Sequence, residues 1–106
     1  MLFVFCSGFV LLGCRQHDWR ELEIEVPEMH NEAAIRLVMN AMGQAPGIRP
    51  GTVVVDPHAR LIRFEYNSLL VADMNFVHLI ADAGFTANGI PGNQEARENW
   101  PPEVRQ

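Results

Sequence analysis

Residues 26 to 34 read V-P-E-M-H-N-E-A-A, at the point where a run of alternating residues gives way to a helical pattern. The thioether of Met29, the imidazole of His30 and the carboxylate of Glu32 stand together here, and a second imidazole, His58, lies in a later turn. Thioether and imidazole donors with one carboxylate form a reasonable site for copper, and zinc accepts the imidazoles and the carboxylate. The stretch contains no cysteine.

Other candidate chemistry is sparse. No Ser or Cys stands at a usable spacing from a His, and the acids Glu21, Glu23 and Glu25 share one face of a strand where no cation is supplied between them. An enzyme is therefore not expected. His17 and Asp18 read as a solvated tether and His78 as a helix-flank histidine.

The elements that must position the loop follow from periodicity. Residues 20 to 26 alternate Leu22, Ile24 and Val26 against the three glutamates, a half-buried strand stopped by Pro27. From Asn31 the period changes: Ile35, Val38, Ala41 and Met42 share one side of a helix that Asn31 can cap and Gly43 can close. Residues 48 to 56 and 61 to 66 read as a hairpin around the turn residues Asp56 and Pro57, with Pro50 and Gly51 suiting an edge strand. A second helix is expected with Asp73 as its cap, Met74, Val77, Ile80 and Ala81 on one face, and Gly84 at its end. Residues 85 to 90 supply a short last strand. The order predicts an α+β fold, a ferredoxin-like βαββαβ sandwich with one antiparallel sheet and two helices on one face.

With strand, loop and helix in place, residues 22 to 90 resemble a heavy-metal-associated (HMA) domain, the module of copper chaperones and metal pumps. Met29 to Ala34 aligns with the family's M-x-C-x-x-C, Pro46-Gly47-Ile48 resembles its P-G-V turn, and Ala81-Asp82-Ala83-Gly84-Phe85 resembles its A-x-A-G-[YF]. The resemblance implies a metal-ion-binding or metal-homeostasis role, and it places Asn31 and Ala34 at the two cysteine positions. An amide oxygen is a weak donor to a soft ion and a methyl group is none, so tight thiolate binding of Cu(I) is not carried over. Two roles stay open. One is a divergent binder using Met29, His30, Glu32 and His58. The other is a non-binding interaction module of the cell envelope that docks through the acidic strand face.

Residues 1 to 14 carry no charge and are too short to cross a bilayer, which needs ~20 apolar residues. Leu11-Leu12-Gly13-Cys14 resembles the bacterial lipobox and implies a lipoprotein. Residues 1–13 are then a signal peptide, 14–19 a linker lipid-anchored through Cys14, 20–90 the HMA-like domain and 91–106 a Pro-containing, disordered tail. The chain would be membrane-anchored in the bacterial envelope with its domain outside the cytoplasm, facing an envelope protein partner. The alternative for residues 1 to 14 is a buried N-terminal element. The first cysteine, Cys6, would leave with the signal, so packing alone would stabilise the fold.

The 106-residue chain has a formal net charge of −5, carried by eight arginines against thirteen acids with no lysine. An acidic chain without a basic stripe does not suit nucleic acid.

Overall fold

The computed structural model describes residues 17–105. Its elements are β1 (Trp19–Glu25), α1 (Glu32–Met42), β2 (Val54–Asp56), β3 (Leu61–Asn67), α2 (Asp73–Asp82), α3 (Gln94–Glu98) and α4 (Pro102–Arg105). The strands form one antiparallel sheet in the order β1-β3-β2. Ile24, Ile62, Phe64 and Tyr66 point to one side and join Val38, Met42, Phe76, Val77 and Ile80 in a single core, so both long helices cover the same face. Glu21, Glu23, Glu25 and Arg63 lie on the other, solvated side.

Asn31 caps α1 as expected: its backbone is extended and its side-chain Oδ1 accepts the Ala34 N–H at 2.8 Å. The cap of α2 is different. Ala72 occupies that position without a side-chain bond, and Asp73 is the first helical residue. The buried face of α2 is Phe76, Val77, Ile80 and Ala81, two pairs spaced by four, while Met74 in the first turn is exposed.

The run 48 to 56 pairs only at its ends. Pro50 and Gly51 form the middle of a turn in which the Thr52 N–H donates to the Arg49 carbonyl at 3.3 Å and Gly51 takes φ 81°. Proline then glycine at these positions is what a type II turn requires. Ile48 bridges Tyr66 before the turn, and β2 begins only at Val54.

The expected last strand is absent among the described residues. Residues 85 to 90 instead fold back on themselves at Asn88-Gly89, whose φ values are 48° and 84°, with Ala87 and Ile90 bridged across the turn. Two consecutive left-handed residues make the tight hairpin turn that Asn-Gly favours, and it reverses the chain before a strand can extend along β1. Residues 91–105 likewise depart from a disordered tail. Two short helices return to the domain, and Val104 is buried in the core. The anchors are few, but the surface they cover is already built by the rest of the fold.

Candidate functional site

The loop between β1 and α1 is a tight turn, closed by the Met29 N–H donating to the Val26 carbonyl at 3.0 Å. It turns the Met29 side chain inward, where the thioether is fully buried in the core. Met29 is therefore not at the loop tip, and its unbranched side chain fills the space beneath the turn.

His30 is exposed, with Nδ1 2.7 Å from the Glu28 carbonyl oxygen. A carbonyl can only accept, so Nδ1 carries a proton in this contact. Glu32 is also exposed and its carboxylate lies 3.3 Å from Arg36 one turn along α1. His58 sits in the β2–β3 turn, exposed, with its backbone N–H donating to Asp56 Oδ1 at 3.1 Å. Among the described residues no three His, Cys, Asp or Glu side chains come together in a group that can hold a metal ion. The structure thus does not gather His30, Glu32 and His58. The hairpin residue that reaches the loop is Arg60, whose guanidinium donates to the Pro27 carbonyl at 2.8 Å.

Asn31 shows why the loop's chemistry differs from a thiolate site. Its Oδ1 is engaged by the helix N-terminus, and its Nδ2 donates to the carbonyls of Glu103 and Val104 at 3.0 and 3.3 Å. Both ends of the amide are in use, and Ala34 beside it is fully buried with no donor atom. These two positions do not fit a soft cation.

The partner of the loop is the chain's own C-terminal segment, fastened mainly through Glu28. The Glu28 carboxylate accepts the Thr86 N–H at 2.8 Å, the Thr86 hydroxyl at 2.7 Å and Arg97 Nη2 at 2.8 Å. Arg97 also donates through Nε to the Gly84 carbonyl at 3.0 Å, and Trp100 Nε1 donates to the Ala83 carbonyl at 2.8 Å. The Trp100 ring stacks on Phe85 at 4.4 Å. These bonds satisfy carbonyls at the end of α2 that have no partner within the helix.

Gly84 permits the approach. A Cβ there would stand 2.8 Å from Trp100 Nε1 and 2.9 Å from Arg97 N, and its φ of 105° already suits glycine. The cluster of Glu28, Thr86 and Arg97 had no local signature, because Glu28 and Arg97 are 69 residues apart. Asn93, which caps α3 through Ala96 N–H at 2.8 Å, is the nearest thing to a sequence signal for this segment.

The two roles of Asn31 can be separated. Asn31→Ser keeps a cap acceptor and should change stability by only a few tenths of a kcal/mol through the cap, whereas Asn31→Ala should lose about 1 kcal/mol from it. Both variants remove the donor to Glu103 and Val104. Faster amide exchange in α4 is expected for both, and unchanged exchange there would show that Asn31 does not fasten the segment.

Comparison with solved structures agrees with this architecture. Oxidized MerP from Ralstonia metallidurans CH34 superposes with a TM-score of 0.59 at 20% identity, over 66% of this chain and 94% of MerP. The solution structure of a protein from Bacillus anthracis str. Ames named for copper-ion binding gives a TM-score of 0.60 at 17% identity, over 68% of this chain and 99% of that protein. The shared feature is the fold. At these identities the likeness extends no further, and no protein-family model or curated protein matches the sequence. Nearly all of each neighbour is matched by about two thirds of this chain, so the remaining third lies outside the common fold.

Proposed function

We propose that this chain is a metal-homeostasis accessory of the bacterial envelope that docks a partner protein through an HMA-like fold and does not itself carry the ion. The observation that supports this reading is the occupation of the loop by the chain's own C-terminal segment, with Asn31 bonded at both ends of its amide. Anchoring through Cys14 belongs to the same proposal and falls outside the described residues.

The docking face is the solvated side of the sheet. One guanidinium, Arg63, stands 3.6 Å from both Glu21 and Glu23, leaving Glu25 and a net negative surface. Exposed pairs of this kind contribute about 0–1 kcal/mol each, so the carboxylates are free to exchange partners.

Titration of the full chain with Cu(I) and with Zn(II) at neutral pH tests the first half of the proposal. No stoichiometric complex with Kd below about 1 μM is expected. A tight complex that is lost on replacing His30 and His58 by alanine would instead favour a binder using His30 and His58 with Met29 and Glu32. Reversing Glu21, Glu23 and Glu25 to lysine tests the second half. It should abolish association with the partner at moderate salt and leave the fold intact.

A further inference from the structure

We propose that the outer edge of β1 is a strand-addition site for a cationic, alternating segment of a partner protein. This inference rests on the docking reading above and specifies how that docking is made.

The backbone parity of β1 is fixed at both ends. The Val26 N–H donates to the Arg60 carbonyl at 2.8 Å and the Ser68 N–H donates to the Asp18 carbonyl at 2.9 Å. In an antiparallel ladder alternate residues bond to the neighbour, so the even-numbered residues of β1 face β3. The N–H and C=O groups of Glu21, Glu23 and Glu25 therefore point away from the sheet.

A fourth strand would cover them in a full ferredoxin-like sheet. Among the described residues Asn88 alone does so here, and only at one end. Its Oδ1 accepts the Glu25 N–H at 2.8 Å, its N–H donates to the Glu25 carbonyl at 3.0 Å, and its Nδ2 donates to the Glu23 carbonyl at 3.3 Å. Beyond that point the chain has reversed at Gly89, and the outward groups of Glu21 and the N–H of Glu23 have no partner among the described residues. A straight strand with an uncovered edge is a template for another strand.

Charge selects the occupant. A second copy pairing edge to edge through β1 would set glutamates of one chain against those of the other, and like charges placed directly opposite are destabilising. An incoming strand with Lys or Arg at alternate positions meets the carboxylates of Glu21, Glu23 and Glu25 on the solvated face. Its intervening apolar residues then fall on the side of Leu22, which is half-buried and packs against the core.

The test uses the full chain with two capped heptapeptides, one alternating Lys and Val, the other alternating Glu and Val. Hydrogen exchange at the Glu21 and Glu23 amides should slow about tenfold with the Lys-Val peptide and not with the Glu-Val peptide. Glu21→Pro removes an outward N–H without touching the β1–β3 ladder, as edge strands tolerate, and should weaken Lys-Val binding about tenfold. Should that variant not fold, the exchange map on the native chain decides.

Binding without protection of these amides overturns strand addition and leaves docking through the carboxylates standing. Failure of the Lys-Val peptide to bind overturns both. Amides already protected in the chain alone mean that residues 1 to 16 or a second copy hold the edge, and the proposal falls.

Discussion

Removal of residues 93 to 106 should lower the unfolding free energy by about 4 kcal/mol, the loss expected when a buried Val and a stacked Trp are stripped from a core together. Val104 is almost wholly buried and Trp100 lies on Phe85 at 4.4 Å. The same cut leaves the Ala81, Ala83 and Gly84 carbonyls without the Asn93 N–H, Trp100 Nε1 and Arg97 Nε donors that reach them. Glu28 keeps its two bonds to Thr86 and loses Arg97. Urea denaturation of the shortened chain checks this through its midpoint and its slope, which should also fall because less surface is buried. A loss under about 1 kcal/mol would make the segment a loosely held appendage, and the closure argued for the loop would fail with it.

Phe76→Ala should be comparably severe, about 4 kcal/mol, because a fully buried aromatic is replaced by a methyl group and the cavity is only partly filled by relaxation. Phe76 packs edge-on against Phe64 at 4.9 Å and Tyr66 at 5.6 Å, so it joins α2 to β3. In a domain of this size that corresponds to a fall in Tm of about 20 °C. Met74→Ala is the matched control. Met74 is 44% exposed, and its truncation should stay within about 0.5 kcal/mol. Equal effects from the two variants would mean that α2 is rotated from the orientation described.

The two positions also mark what was legible in the sequence. The three-and-four spacing of α2 is clear, but it admits neighbouring choices of face: it puts Met74 in the core, where the structure has Phe76. In the first turn of α2 Phe76 is buried and Met74 is exposed, which spacing alone does not reveal. β1, α1 with its Asn31 cap, and the turn at Asp56 were all readable because each depends on residues within a few positions of one another.

The expected last strand fails to form for a different reason. Asn88-Gly89 is a local turn signal, and it outweighs the apolar run of residues 85 to 90 that would otherwise extend as a strand. The Glu28 cluster and the docking of residues 91–105 could not be read at all. Their partners lie far away in the chain, and two apolar anchors in fifteen residues look like a solvated tail until the surface beneath them is known.

The C-terminal segment also sets a threshold for anything else that approaches the loop. It is joined to the domain at Ile90, so its local concentration at the loop is of roughly millimolar order and does not fall on dilution of the protein. If closure is worth about 4 kcal/mol, a ligand that needs the loop end uncovered would find its apparent affinity lowered by about a thousandfold. That factor is independent of the ligand's own chemistry. It is set by the bonds of Glu28, Asn31 and Trp100, and weakening any one of them would make the loop end easier to reach without altering a single donor on it.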